Sequence, residues 1–260
     1  MKKISLSGFY IKLIALVFML VDHIQTYFHA DLGLPAWTNW LGRFVAPIFL
    51  YMLVEGYFHT SSRYAYLKRL ASGAILMFGI NIVHNLLTTS YIHPLSGQFD
   101  FYLLIGGNNI FLTLCLFFLL FCLFDAKRQY QGMKKYVRLP LVFIILFLLI
   151  FSEGGLYLLP LALVFYFTRN NKRSSILAII FLSLLFLAKA VFGYVSSTGQ
   201  SFYDYLTFDS YFMMFPAAIL IYAYSGQRGG TGAKWEKQLF YVFYPLHLTI
   251  IYIISALLGQ

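Results

Sequence analysis

The sequence predicts an all-α integral membrane protein, a bundle of about nine transmembrane helices with a cytoplasmic N-terminus. Three observations support this fold class. The chain is 60% hydrophobic and 11% charged, whereas soluble domains are about 25% charged. Its apolar residues come in runs, several close to the roughly 20 residues that a helix needs to cross the hydrocarbon core. Lys and Arg fall almost entirely in alternate segments between those runs, as the positive-inside rule requires.

Nine hydrophobic runs divide the chain, and we expect each run to cross the bilayer once. They cover residues 8–28, 36–58, 65–88, 109–124, 139–152, 154–168, 174–193, 208–224 and 238–257. The fifth and sixth runs are short, and Gly154 and Gly155 divide them, so a re-entrant hairpin is the alternative to two crossings. The charge alternation favours two crossings. Residues 1–260 are then one transmembrane domain.

The connecting segments separate the charges by side. All but three of the 19 Lys and Arg lie in segments assigned to the cytoplasm, the exceptions being Lys12, Arg43 and Lys189. The exterior segments hold carboxylates instead, namely Asp31, Asp100, Glu153, Asp204 and Asp209. The net charge of +10 is therefore a signal of topology, and no nucleic-acid partner is expected. Cys115 and Cys122 do not have the spacing of a metal site, so no metal is expected either.

Polar residues inside the runs mark the candidate site, because ionisable groups in a bilayer are costly unless they are paired or hydrated. Asp22 and His23 lie near the end of the first run. From Arg43 onwards the second run carries a mostly polar set of residues at every fourth position, and residues four apart share one helix face. We therefore expect a polar stripe along one helix, formed by Arg43, Pro47, Tyr51, Glu55 and His59.

Further polar residues lie in or at the start of four other runs, mostly in the half that is predicted to be exterior. They are Asn81, His84, Asn85, Asn108, Asn109, Thr113, Lys189, Tyr244 and His247. Plainer interpretations remain open for several residues. Asp22 and Arg43 could form a structural ion pair. His84 and His247 could form hydrogen bonds that hold helices together. The Lys189 side chain could extend to the membrane–water interface. Arg63 and Arg69 could do no more than set the membrane topology.

Five blocks of sequence resemble the TraX family in order and spacing. They read M-L-V-D-H-I from Met19, L-G-R-F-V-A-P-I-F-L-Y-M-L-V-E-G-Y-F-H-T from Leu41, Y-x-x-R-L from Tyr66, N-I-F-L-T-L from Asn109 and F-Y-V-F-Y-P-L-H-L from Phe240. The family takes its name from a conjugation protein that acetylates the N-terminal amine of pilin subunits. It is also distantly similar to multi-span acyltransferases, in which a histidine of an early span is the favoured base.

The resemblance implies a multi-pass acetyltransferase of the bacterial cytoplasmic (inner) membrane that takes acetyl from cytoplasmic acetyl-CoA. The acceptor would be an amine or hydroxyl of an exported peptide or a surface glycan. We expect His23 to be the general base, supported by Asp22, Arg43 and Asn109. Residues expected to bind coenzyme A are Tyr51, Glu55, His59, Arg63, Lys68 and Arg69. Residues expected to bind the acceptor are Asn81, His84, Asn85, Lys189, Tyr244 and His247.

Two other function classes stay open from the sequence. A transporter or flippase would also gather polar residues along a path, but it usually has broken helices in two related halves, and no such repeat is visible. A scaffold of a secretion or envelope-assembly complex would not require Asp22, His23 and Arg43.

Overall fold

The computed structural model describes residues 5–125, 135–196, 199 and 201–258, and every regular element in these ranges is helical. The basic residues Lys2, Lys3, Lys127, Arg128 and Lys134 lie outside the described residues. The α-helices are α1 (Gly8–Phe28), α2 (Val45–His59), α3 (Arg63–Leu87), α4 (Phe101–Ile105), α5 (Ile110–Phe124), α6 (Lys135–Ile150), α7 (Gly155–Phe167), α8 (Lys172–Ser196), α9 (Phe202–Phe208), α10 (Pro216–Ala223) and α11 (Lys234–Leu258). Two 3-10 helices cover Ala36–Gly42 and Ser210–Met214.

Several helices have the length and composition of membrane spans, which indicates a membrane protein. Among the described residues, five segments are long and apolar enough to cross a bilayer, namely Gly8–Phe28, Ala36–His59, Arg63–Leu87, Lys172–Ser196 and Trp235–Leu258. A sixth span results if the pair Phe202–Phe208 and Ser210–Ala223, bent by 61°, is counted as one. This number is lower than the nine crossings expected from the hydrophobic runs.

Three short apolar helices account for the difference. α5, α6 and α7 have 15, 16 and 13 residues. At about 1.5 Å per residue they extend roughly 20–24 Å, whereas the hydrocarbon core is about 30 Å thick. Each occupies a run that the sequence predicts to be helical, so the helices are confirmed, but their length alone does not make them spans.

The second hydrophobic run is interrupted where one continuous helix was expected. The 3-10 helix Ala36–Gly42 ends before Arg43, and α2 begins at Val45. The Arg43 amide donates to the Trp40 carbonyl at 3.3 Å. Pro47 has no N–H to offer the Arg43 carbonyl, so a regular helix is not favoured through this turn. Arg43 therefore lies between the two helices, and its place on the polar stripe of α2 stays a prediction.

The chain forms two compact units. The first comprises Met1–Met52 and Leu163–Ile251, and the second comprises Leu53–Ala162 and Tyr252–Gln260. In the first unit, α1 packs against the 3-10 helix Ala36–Gly42, and α8 packs against α10 and the 3-10 helix Ser210–Met214. In the second unit, α3 packs against α4 and α5, and α5 packs against α6.

Aromatic packing forms much of the core of the second unit. Tyr57, Phe117, Phe118 and Phe121 are almost fully buried. The Tyr57 ring lies 5.0 Å from the ring of Phe118 and 5.7 Å from that of Phe121, both edge to face. These contacts hold the end of α2 against α5.

Candidate functional site

Two histidines from distant parts of the chain meet in the first unit. Nδ1 of His23 on α1 lies 2.8 Å from Nε2 of His247 on α11. The side chains are buried, with 4% and 6% of their surface exposed. The ring of Tyr244, one turn before His247, packs edge to face against both, at 6.1 Å from His23 and 5.7 Å from His247. Three predicted site residues thus lie together.

The hydrogen bonds of the two histidines define where their protons lie. Nδ1 of His247 is 2.7 Å from the carbonyl oxygen of Phe243. A carbonyl only accepts, so this Nδ1 must carry a proton. In a neutral ring, Nε2 of His247 is then an acceptor, and it receives the proton of His23 Nδ1. The remaining nitrogen, Nε2 of His23, keeps a lone pair and makes no hydrogen bond with any residue that the structure describes. That nitrogen can act as a base.

Asp22, the residue before His23, forms an ion pair. Nη2 of Arg43 is 2.6 Å from Oδ1 of Asp22, and the two side chains are 23% and 22% exposed. A Cβ at position 42 would overlap the Asp22 carboxylate, so the glycine allows the 3-10 helix to approach α1 this closely. Of the two interpretations left open by the sequence, the structure shows the ion pair, with Asp22 directed to Arg43.

Asn39 completes the support of Arg43 and was not predicted from the sequence. Its side-chain oxygen accepts from Nη2 of Arg43 at 2.6 Å, and its carbonyl accepts from Nε at 3.0 Å. Its amide donates to the Thr207 carbonyl at 2.9 Å and to the Ser210 hydroxyl at 3.3 Å. The i,i+4 spacing of Asn39 and Arg43 was the available signal. Nη1 of Arg43 makes no hydrogen bond within the described part of the chain.

Two further predicted residues of the first unit, Lys189 and Tyr51, contact other side chains of the protein. Lys189 Nζ is 2.8 Å from Oδ2 of Asp209, which is 8% exposed. The Lys189 side chain therefore compensates a buried carboxylate. The Tyr51 ring is buried and packs edge to face on Phe165 at 5.3 Å and on Tyr224 at 6.0 Å.

In the second unit, Arg63 has a partner that the sequence analysis missed. Nη1 of Arg63 is 2.6 Å from Oδ2 of Asp125, and its guanidinium lies 4.1 Å from the centre of the Tyr57 ring. The signal was available: Asp125 and Glu236 are the only acids in the basic segments of the sequence. Much of the positive charge of Arg63 is therefore compensated within the protein.

The other residues predicted to bind coenzyme A lie at the end of α2 and the start of α3. Lys68 and Arg69 are exposed, and the Arg69 guanidinium lies 5.5 Å from the centre of the Tyr66 ring. His59 is also exposed, and its Nδ1 is 2.8 Å from the carbonyl oxygen of Glu55. Lys68 and Arg69 therefore offer positive charge near the junction of α2 and α3.

Asn109 begins α5 as its N-cap. Its side-chain oxygen accepts from the Leu112 amide at 3.1 Å, its side-chain nitrogen donates to the Ala74 carbonyl at 3.1 Å, and its backbone amide donates to Glu153 at 2.6 Å. The Glu153 carbonyl accepts from the Thr113 hydroxyl at 2.8 Å. Asn109 belongs to the second unit and His23 to the first. The predicted oxyanion role of Asn109 stays a prediction.

The polar residues of α3 contact Tyr252 on α11 and the end of α4. Oδ1 of Asn81 accepts from the Tyr252 hydroxyl at 3.1 Å, and the His84 ring stacks on the Tyr252 ring at 4.1 Å. The Asn108 amide also reaches the Tyr252 hydroxyl, at 3.3 Å. The Asn85 amide donates to three carbonyls at the end of α4, those of Leu103, Leu104 and Gly106. Asn85 therefore holds the loop between α4 and α5.

Comparison with known proteins identifies the family. The family model described as "TraX protein" matches residues 7–255. A curated relative, "Probable fimbrial assembly protein FimC, serogroup H1" of Dichelobacter nodosus, is 26% identical over 263 aligned residues, covering 96% of each chain. No solved structure matches the chain. The matched region includes both histidines and the Asp22–Arg43 pair, and the chain belongs to the TraX family.

Proposed function

We propose that this protein is a membrane-embedded acetyltransferase that moves acetyl from acetyl-CoA to an amine or hydroxyl of an exported or surface acceptor. The observation that carries the proposal is the hydrogen-bond sequence from His23 through His247 to the Phe243 carbonyl. It fixes one tautomer and leaves Nε2 of His23 as the basic atom. Buried imidazoles oriented in this way suit general-base chemistry.

In the proposed reaction His23 first acts as a base. Its Nε2 accepts the proton of the acceptor N–H or O–H while the acceptor atom attacks the thioester carbonyl carbon. The tetrahedral intermediate collapses, the C–S bond breaks, and the proton passes from His23 to the leaving thiolate of coenzyme A. The burial of His23 limits access of bulk water, which would otherwise compete as the acceptor.

Arg43 is the proposed oxyanion donor. Asp22 and Asn39 hold Nη2 and Nε, which leaves Nη1 for the oxygen that becomes negative in the intermediate. Loss of one such donor costs about 3–4 kcal/mol in other acyl transferases. Asp22 has a positioning role here, because it orients the guanidinium.

The proposed topology has nine crossings, a cytoplasmic N-terminus and a location in the bacterial inner membrane. The alternation of basic and acidic connecting segments supports it. The α3 start would then lie on the cytoplasmic side, where the phosphates of coenzyme A would meet Lys68 and Arg69. Arg63 would contribute less, since Asp125 compensates its charge.

Charge reversal at Arg69 tests the proposed donor contacts. We expect Arg69→Glu to weaken coenzyme A binding about tenfold, because one attractive phosphate contact becomes repulsive. The measurement is isothermal titration calorimetry on the purified chain. Arg173→Glu, an exposed basic residue at the start of α8, is the matched control. Equal affinities of both variants would leave Arg69 with a topological role only.

We propose a fimbrial subunit as the acceptor. The name of the Dichelobacter nodosus relative refers to fimbrial assembly, which favours a fimbrial subunit as the acceptor here. Tyr244 and His247 lie beside the proposed base, so they would be the nearest acceptor contacts in the first unit. Asn81, His84, Asn85 and Lys189 remain proposed acceptor contacts with less support, because their side chains have partners in the protein.

Exchange of His247 tests its role as the residue that orients His23. We expect His247→Ala to lower kcat about 10- to 100-fold with little change in KM, as is typical when the orienting partner of a histidine is lost. His247→Gln should recover part of the rate, because its side-chain oxygen can accept the His23 proton. Equal losses in both variants would indicate a packing role instead.

A fimbrial assembly scaffold is the second candidate, favoured by the name of the same relative. Mass spectrometry of surface proteins from cells with the wild-type chain, without it, and with His23→Ala separates the two. Acetylation that disappears in both altered strains supports the enzyme. Assembly that depends on the chain but proceeds normally with His23→Ala supports the scaffold.

A further inference from the structure

A cluster of basic side chains lies in the first unit where α1 begins, and neither the proposed base nor the proposed donor contacts use it. Lys12 on α1, Lys172 at the start of α8 and Arg228 before α11 supply three positive charges, and Glu236 on α11 supplies one negative charge. We call these four residues the basic cluster. Together the four side chains carry two more positive than negative charges.

The segment before α11 is held against the first turn of α1. The Gly8 amide donates to the Gln227 carbonyl at 2.8 Å, and the Phe9 amide donates to the Arg228 carbonyl at 2.9 Å. These bonds satisfy two amides that a helix start otherwise leaves open. They also place Arg228 beside the helix turn that carries Lys12.

Lys12 lacks a compensating charge. Its Nζ makes no hydrogen bond or ion pair with any described residue. The ammonium lies over the face of the Phe240 ring, 5.2 Å from its centre, and the positive charge of Arg228 acts on it unfavourably. A cation–π contact contributes only about 0.5–2 kcal/mol. An ammonium within the candidate span Gly8–Phe28 is costly without an anion, and such residues mark functional sites by default.

Glu236 offsets only part of the positive charge of the cluster. Its carboxylate accepts from the Thr231 amide at 2.6 Å, the Thr231 hydroxyl at 2.8 Å and the Gly232 amide at 3.0 Å. Nη2 of Arg228 lies 4.0 Å from this carboxylate, beyond hydrogen-bond distance. Glu236 therefore holds the glycine-rich segment, and the half-exposed Arg228 keeps donors for another acceptor.

An orphaned hydroxyl lies at the same place. Ser7 Oγ is buried and has no hydrogen-bond partner among the residues that the structure describes. It lies against Gly229, where φ is +67° and an added Cβ would overlap the hydroxyl. A buried polar group without a partner costs about 1–3 kcal/mol. A bound oxyanion could accept its hydrogen bond and remove that cost.

We propose that the basic cluster binds a phosphate-bearing anion, with Lys12 and Arg228 contacting the phosphate oxygens and the Ser7 hydroxyl as a further donor. Arg forms bidentate hydrogen bonds to phosphate, and Lys supplies a point charge. Lys172 adds long-range attraction while its Nζ donates to the Tyr222 and Tyr224 carbonyls. The phosphate comes from a soluble donor such as coenzyme A or from an anionic lipid headgroup. Its assignment to the acyl donor rests on the proposed function, whereas anion binding itself does not.

The test uses the purified full-length chain with Lys12→Gln, Arg228→Gln and the control Lys237→Gln, an exposed lysine outside the cluster. One arm measures coenzyme A affinity by calorimetry in lipid-free detergent. The other arm measures retention of phosphatidylglycerol against phosphatidylcholine by native mass spectrometry. We expect each cluster variant to lose about tenfold in affinity, or a matching share of retained anionic lipid. The control should behave like the wild type.

The two arms distinguish a soluble phosphate from a lipid headgroup. A loss in the first arm identifies a soluble phosphate, and a loss confined to the second identifies a lipid headgroup. Unchanged values in both arms for both cluster variants would overturn the site. Lys12→Gln should also raise the thermal midpoint of the ligand-free chain, since it removes an uncompensated cation, so misfolding would not pass for lost binding. Intact coenzyme A binding without acetyl transfer would reject the proposed function and leave the site standing.

Discussion

Exchange of His23 for Ala is expected to lower acetyl transfer by about 100-fold or more, the usual contribution of a general base. The reason is specific to the geometry. Nε2 of His23 is the nitrogen left with a lone pair once Phe243 and His247 have fixed the tautomers. The measurement is the initial rate of acetyl transfer from acetyl-CoA by the purified variant.

His29→Ala is the matched control for this prediction. His29 is exposed at the end of α1, two turns beyond His23, and has no part in the proposed chemistry. We expect it to retain the wild-type rate. Both variants should elute from size exclusion like the wild type, which excludes misfolding as the cause of a lost rate. A His23→Ala variant with full activity would remove His23 from the mechanism.

Breaking the Asp22–Arg43 ion pair is expected to have the largest effect on stability. Arg43→Met leaves the Asp22 carboxylate and the Asn39 side chain without their shared partner. Because both charged side chains are mostly buried, we expect a loss of roughly 2–3 kcal/mol in the free energy of unfolding, somewhat below the value for fully buried pairs. The measurement is unfolding in a denaturing detergent, followed by circular dichroism.

A double-mutant cycle separates the ion pair from the other contacts of Arg43. Asp22→Asn with Arg43→Met should be less destabilised than the sum of the single variants, because the second exchange removes the uncompensated charge. Lys189→Met is the comparison, since Lys189 is 64% exposed and exposed pairs contribute about 1 kcal/mol or less. Additive losses at Asp22 and Arg43 would show that the pair adds no coupling energy.

Local sequence pattern predicted the helices well because hydropathy is a local property. α1 occupies the expected run exactly in type and bounds, and α3 and α11 differ from theirs by a few residues. The break before α2 was not predicted, since a hydrophobic run does not reveal a 3-10 turn within it. It depends on Pro47 and on the close approach that Gly42 allows to α1. The span count differs because hydropathy identifies α5, α6 and α7 as apolar but does not measure whether they reach across.

The sequence predicted most residues of the candidate site but only some of the contacts between them. The Asp22–Arg43 pair was among the alternatives because the two residues are opposite charges inside neighbouring hydrophobic runs. The contact between His23 and His247 joins residues 224 positions apart, and no periodicity relates two different helices at that separation. The Arg63–Asp125 pair was missed because connecting segments were interpreted for net charge, which hides individual pairings. The basic cluster was missed because Lys12, inside the first run, was treated only as an exception to the charge alternation.

The most direct measurement is acetyl transfer by the purified wild-type chain, supplied with acetyl-CoA labelled on the acetyl group and a peptide that carries a free N-terminal amine and a serine hydroxyl. The proposal predicts label bound covalently to the peptide, with one coenzyme A thiol released per acetyl group transferred. Absence of labelled peptide while coenzyme A binds to the chain would contradict it.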